Sequence, residues 1–327
     1  MNALTNKEPI ILLFGMPRSG TTWLGKIFDS HPDTLYRHEP DSVEYLQAPL
    51  AIDVADREEF DAAFKQFSRR LFETLSVRVN GKLPLFPKSY YSRSVFQTHR
   101  FITLAAKTLS AKVNNPKNPD LINIARASQL RLVWKSIESL GRFGAIARSV
   151  TPCYGVHIVR HPCGYVSSVL RGERQGKFDA EEKASEDYGV LRQLLDIPLA
   201  KSKGLSLEVL RGLEPVERLA WRWALVNTKA MEDTRGLDYC TTISYDGLCA
   251  NPVETSQRLF SFCGLSWGAQ TERFVGASTS AQGDAYYSVF KKPLEAARRW
   301  KKELREDDIE RILAITRETP PGQLFKD

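Results

Sequence analysis

The sequence predicts an α/β protein with a parallel central sheet and helices on both faces, and three observations carry that expectation. Apolar runs of strand length recur at residues 10–14, 130–135, 154–159 and 239–245. They are apolar nearly throughout, as strands covered on both faces are, and segments with helical spacing lie between them. The first run stops at a glycine, after which a tight loop leads straight into a helical pattern.

That opening segment organises the rest. Gly15-Met16-Pro17-Arg18-Ser19-Gly20-Thr21-Thr22 has the glycine spacing of a phosphate-binding P-loop, and Trp23, Leu24, Ile27 and Phe28 continue it as one face of a helix. Such a loop points consecutive backbone N–H groups at one spot, and the helix dipole adds positive potential there. Nucleotide triphosphatases carry a lysine just before the Ser/Thr. Here that position is Thr21, and the cation sits inside the loop as Arg18.

The helix is expected to run from Gly20 to Ser30 and to stop at His31-Pro32, because the residue before a proline is pushed out of the helical region. Residues 34–38 read as a second strand ending in His38-Glu39-Pro40. Since ligands of open parallel sheets sit at the carboxyl ends of the strands, Glu39 is expected beside the phosphate loop. Residues 57–75 and 98–111 have amphipathic helical spacing, with a proline-punctuated aromatic loop at residues 80–91 between them.

Lys135 ends the strand at 130–135, and Arg160 ends the one at 154–159. Pro162 suits the first turn of the helix that follows, which carries Ser168. Residues 171–213, broken by glycines and a proline, read as a surface excursion with one helix around 181–195. Helices are expected over 214–234 and 252–263 around the last strand, and Lys291-Lys292 leads into a basic C-terminal segment. No linker composition is visible. Residues 1–327 are therefore expected to form a single domain, with 41–129 and 171–213 as helical insertions that form a pocket or a lid.

Composition narrows the partners. The net charge is +7, yet no basic stripe with interleaved aromatics appears, so nucleic acid is not an expected partner. The N-terminus lacks a signal-peptide pattern and no apolar run approaches the ~20 residues that cross a bilayer, so a cytoplasmic protein without a membrane span is expected. The five cysteines include no C-x-x-C pair and suggest neither a disulfide framework nor a zinc site.

The loop at 18–22, Glu39, Lys135, and Arg160 with Ser168 thus fall at one edge of the sheet. Cations that neutralise a leaving oxygen, with a carboxylate to take a proton, suit the transfer of an anionic group to a hydroxyl. These residues resemble those of the sulfotransferases that use 3′-phosphoadenosine 5′-phosphosulfate (PAPS). Residues 16–23 resemble that family's 5′-phosphosulfate loop, Val159-Arg160-His161-Pro162 with Ser168 its 3′-phosphate motif, and Ser244-Tyr245-Asp246-Gly247-Leu248 its Tyr-Glu-Asp-Leu segment. Arg18 through Phe28, His31-Pro32 and Glu39-Pro40 are most similar to the carbohydrate and tyrosylprotein branches.

The resemblance implies that Arg18, Ser19, Gly20, Thr21 and Thr22 bind the 5′-phosphosulfate, and that Trp23 and Tyr245 flank the adenine. Arg160 and Ser168, with Lys291 and Lys292, would hold the 3′-phosphate independently of the loop. It further implies Glu39 as catalytic base, Arg18 and Lys135 facing the transferred group, PAPS as co-substrate with PAP as product, no metal, and a small-molecule or glycan acceptor. His38 and His99 are rival bases, Ser288 is a candidate contact to the sulfate, and Trp23 and Tyr245 also suit a packed core. A P-loop kinase or a non-catalytic nucleotide-binding protein is the alternative. The absence of the Walker lysine counts against the kinase.

Overall fold

Five parallel strands form the sheet: β1 (Ile10–Phe14), β2 (Thr34–His38), β3 (Arg131–Ser136), β4 (Cys153–Val159) and β5 (Cys240–Ser244), in the order β2-β3-β1-β4-β5. The computed structural model describes residues 8–110, 112–113, 115–122, 130–176, 183–280 and 293–325. β1 is central because Ile11, Leu12, Leu13 and Phe14 are fully buried, which only a strand covered on both faces and paired on both edges allows.

The two-residue period of the strands divides the core into two layers. Leu12, Phe14, Leu132, Trp134 and Val159 face one layer with Phe143, Trp223 and Tyr165. Ile11, Leu13, Val133, Val156 and Ile158 face the other, with Leu24, Ile27 and Phe28 of the helix Thr21–Asp29 and Phe260 of the helix Pro252–Phe262.

The strand order corrects one expectation. Glu39 follows β2, and β3 lies between β2 and β1, so the carboxylate stands one strand further from the loop than a simple progression would place it. β3 and β4 flank β1 on opposite sides. The connections therefore diverge at the carboxyl end of β1, the crevice where ligands of doubly wound sheets bind.

Helix limits differ where polar contacts intervene. The first amphipathic helix is Arg57–Arg70 and stops before 75, as the Leu71 carbonyl accepts from Arg37 Nε at 2.6 Å. The next begins earlier than its apolar spacing suggests, at Arg93, because Ser92 Oγ accepts from the Val95 amide and caps it. In place of one helix around 181–195 there is Tyr188–Leu194, capped by Asp187, and residues 181 and 182 lie outside the described residues. An unforeseen helix, Tyr245–Ala250, starts directly at the end of β5 with Ser244 as its cap. No helix among the described residues is long and apolar enough to cross a membrane.

β4 itself carries a fully buried histidine, His157. Nε2 meets Asn227 Oδ1 at 3.0 Å and Nδ1 meets Thr242 Oγ1 at 3.3 Å. Burial pushes its pKa down to about 4, against a weaker upward pull from Asn227. The unfolded chain takes up this proton near pH 6.5 and the folded chain only near 4, so stability falls as pH drops through that window. His31, His38 and His99 are pushed in the same direction, chiefly by burial. Denaturant midpoints measured from pH 7 to 4 should therefore decline, and His157→Gln should flatten the decline whatever its effect at pH 7. An unchanged slope would mean that His157 does not titrate between the two states.

Candidate active site

The loop after β1 owes its shape to two left-handed residues. Arg18 has φ 70 and Gly20 has φ 86, with Ser19 between them donating its amide to the Met16 carbonyl at 3.2 Å. Such turns rotate successive N–H groups toward one side and make a concavity for an anion. Glycine at position 20 is demanded twice over. Its φ is one that side chains avoid, and a Cβ there would stand 2.2 Å from Cδ2 of Tyr245. Ser19 is fully buried, and its hydroxyl finds no hydrogen-bond partner among the described residues. Thr21 and Thr22 form the first turn of the helix that opens here.

Arg160, just after β4, ties this loop to the rest of the site. Its Nη1 donates to the Arg18 carbonyl at 2.9 Å, and its Nη2 donates to the Ala296 carbonyl at 2.8 Å, in the helix Pro293–Arg298. The guanidinium lies 5.2 Å from the Tyr245 ring centroid, while its Nε is buried and has no partner among the described residues. Arg160 therefore does not act independently of the loop, because one of its nitrogens holds the backbone of Arg18. Ser168, on the helix Pro162–Arg174, accepts from Arg18 Nε at 3.1 Å. Arg18, Gly20, Arg160, Ser168 and Tyr245 are thus brought together. Trp23 meets Tyr245 edge to face at 6.4 Å, and its indole N–H donates to Ser278 Oγ at 3.0 Å, so it is tied into the core. Lys291, Lys292 and Ser288 lie outside the described residues.

The second half of the site stands at the ends of β2 and β3. Glu39 adopts φ 49, a left-handed conformation rare outside glycine and asparagine, and its amide donates to the Lys135 carbonyl at 2.8 Å. Its carboxylate forms an ion pair with Lys135 Nζ, whose side chain is wholly buried, whereas that of Glu39 is 24% exposed. Lys135 registers with Leu13 of β1 on one side and His38 of β2 on the other, so it bridges the carboxylate toward the loop. Burial lowers the Lys135 pKa, and the neighbouring Glu39 opposes that shift.

His38 Nε2 is 3.8 Å from the same Glu39 oxygen, and its Nδ1 meets the Tyr36 hydroxyl at 2.8 Å. Burial holds His38 well below its usual pKa, with Lys135 adding to the effect. A neutral histidine at that place is a neighbour of the carboxylate. His99 packs 5.2 Å from the Tyr91 ring, and its charged neighbours are Asp120 and Arg37, so it is not brought to Glu39.

Sequence reasoning missed the support beneath Glu39. Asp41, two residues on, is buried and accepts from Ser136 Oγ, Ser139 Oγ and Trp134 Nε1, which fixes the turn through Pro40. Glu138, on the turn after β3, is held above the usual carboxylate range by desolvation, with Asp41 and Glu39 adding to it. Lys26, on the helix Thr21–Asp29, is also buried. It pairs with Asp29 and donates to the Lys82 carbonyl at 2.9 Å, and burial lowers its pKa to about 8. The only signal for these groups in the sequence is a polar residue inside an apolar stretch, which names no partner.

The family model described as "Sulfotransferase family" matches residues 9–269. No curated protein matches the chain. Among solved structures, the chain is similar to the sulfotransferase domain from the curacin biosynthetic pathway, with 15% identity, 95% of this chain and 98% of that one covered, and a TM-score of 0.43. It is similar to the sulfotransferase domain from the Synechococcus PCC 7002 olefin synthase at 15% identity, covering 96% and 97% of the two chains with a TM-score of 0.43. A third is mouse sulfotransferase SULT7A1 complexed with PAP, at 13% identity, 97% and 88% coverage and a TM-score of 0.42.

The loop geometry can be tested on two glycines. Gly20→Ala should lower stability by at least roughly 1–3 kcal/mol, the worth of one residue forced into a disfavoured conformation, and the clash with Tyr245 adds to that. Gly276→Ala, in the helix Ala269–Ser280 with nothing within 4 Å of the added methyl, should be neutral or stabilising. Chemical denaturation of both variants gives the comparison. Equal effects would mean that the left-handed loop is not held as described.

Proposed function

The chain belongs to the sulfotransferase family, and from that premise we propose that it transfers a sulfuryl group from PAPS to a hydroxyl or amine of a small-molecule or glycan acceptor, with Glu39 as general base and without a metal ion. One observation carries the reading. The two buried polar atoms of the site without a partner among the described residues, Ser19 Oγ and Arg160 Nε, lie in the two segments that resemble the family's two phosphate-binding motifs. A buried donor left unpaired costs about 1–3 kcal/mol, so a pair of them at a loop built for anions is a binding site in waiting.

In this reading the amides of residues 18–22, the hydroxyls of Ser19, Thr21 and Thr22, and Arg18 hold the 5′-phosphosulfate. Arg160 and Ser168 hold the 3′-phosphate, with Lys291 and Lys292 assigned by resemblance alone. Trp23 and Tyr245 flank the adenine. The co-substrate supplies the sulfuryl group, already activated by its link to phosphate. Glu39 accepts the proton of the attacking hydroxyl, and Lys135 orients that carboxylate. Arg18, beside the leaving oxygen, stabilises the charge that gathers there. A sulfuryl group carries less negative charge than a phosphoryl group, so these cations serve where a divalent metal serves phosphoryl transfer. The similarity of Arg18 to Phe28 and of Glu39-Pro40 to the carbohydrate branch favours a glycan or glycolipid hydroxyl.

The test combines binding and turnover. PAP should raise the thermal midpoint more than ATP with Mg²⁺ does, since only a ligand of the native state stabilises it by mass action. Transfer of labelled sulfate from PAPS should persist in EDTA. Glu39→Gln should lower kcat by about 10²–10⁴ while PAP affinity stays unchanged. Preference for ATP, loss of turnover in EDTA that Mg²⁺ restores, or near-normal turnover in Glu39→Gln would each contradict the proposal.

A further inference from the structure

Beside β2 the fold positions two lysines that form no ion pair among the described residues. Lys82 follows Gly81, which lies so close to the helix Arg93–Leu109 that a Cβ would meet Thr103 Cγ2 at 3.2 Å. Asn118 pins the same contact, accepting from Asn80 Nδ2 at 2.6 Å through its carbonyl and from Thr103 Oγ1 at 3.2 Å through its side chain. On the other side, the Lys82 carbonyl accepts from buried Lys26, whose Nζ lies 5.4 Å from the Tyr36 ring centroid. Lys82 is therefore fixed by its backbone between β2 and the helix. Lys107 lies one turn beyond Thr103, on the same face.

Both lysines are half-buried, and neither has an ion pair or hydrogen bond from its ammonium among the described residues. The contrast with the other buried lysines is sharp, for Lys26 and Lys88 share Asp29, and Lys135 has Glu39. Burial lowers the pKa of both. Glu39 partly offsets this for Lys82, whereas Lys82 lowers Lys107 further, so each lies within electrostatic reach of the next. His38 registers both of them along with Lys135. With His38 neutral and Glu39 engaged by Lys135, neither Lys82 nor Lys107 has its charge paired among the described residues.

We propose that Lys82 and Lys107 form an anion subsite of the acceptor pocket, so that the acceptor carries a carboxylate or phosphate close to the hydroxyl it presents to Glu39. The inference rests on the sulfotransferase reading of the site. Two half-buried ammoniums with no ion pair among the described residues gain from a ligand that brings its own negative charge, and lysine suits either anion because it binds as a point charge without a required plane.

Matched acceptors test it: 4-hydroxybenzoate against its methyl ester, glucuronic acid against glucose, and glycerol 3-phosphate against glycerol, each with labelled PAPS. The anionic member of a pair should have a kcat/KM roughly 10- to 100-fold higher, the range of a charge-assisted contact. The first two pairs report a preference for carboxylate and the third for phosphate. Within Lys82→Gln/Lys107→Gln the ratio should collapse toward one, and within Lys82→Arg/Lys107→Arg it should persist. Taking the ratio inside each variant removes any effect of the substitutions on folding. A wild-type ratio of one or less in all pairs, or a ratio that survives in the glutamine variant, would overturn the proposal. If none of the six compounds is turned over, calorimetry of the PAP complex with the same six decides, and equal or weaker binding of the anionic members overturns it. A protein that fails to bind PAP would instead sink the underlying reading.

Discussion

The guanidinium of Arg160 is the constraint on which the rest of the site depends. Arg160 directly follows β4, its backbone carbonyl accepts from Trp223 Nε1 at 2.9 Å, and its two terminal nitrogens donate to the carbonyls of Arg18 and Ala296. The side chain thereby joins the loop after β1 to the C-terminal helices, while the backbone carbonyl ties the end of the sheet to the long helix Pro215–Asp233. Arginine alone has enough donors in one plane to make these bonds and keep Nε in reserve. The Tyr245 ring completes the arrangement from below, filling the space that any side chain on residue 20 would need.

The Glu39–Lys135 pair is built on a different principle. A wholly buried lysine is costly unless paired, and removing its partner would leave an uncompensated charge. The cost keeps the carboxylate in one place. Asp41 reinforces this from below, and the left-handed backbone of Glu39 is held by the surrounding bonds rather than by its own preference. Rigid placement of a base at the end of a strand is what proton transfer requires, and the strain sits where the chemistry is proposed.

Much of the fold was legible in the sequence for a plain reason: strands buried on both faces must be apolar nearly throughout, and loops between them carry Gly and Pro. β1 and β4 therefore match their apolar runs within a residue or two, and the fold brings Arg18, Arg160 and Ser168 together. Strand order was not legible, since nothing in the residues 34–38 says that a strand 97 positions further on will insert beside them. Nor were Asp41 and Lys82, whose roles come from partners brought together only by the fold, such as Ser136 for Asp41 and Lys26 for Lys82. A helix cap such as Ser92 was missed because the polar first turn of its helix hides the start of the apolar period.

The central claim is that the loop and Arg160 hold the two phosphates of one nucleotide with donors that have no partner among the described residues. A crystal structure of the complex with PAP tests it most directly. The account predicts phosphate oxygens within hydrogen-bond distance of both Ser19 Oγ and Arg160 Nε, the 5′-phosphate at the former and the 3′-phosphate at the latter. PAP bound elsewhere, or bound with those two atoms still unpaired, would contradict it.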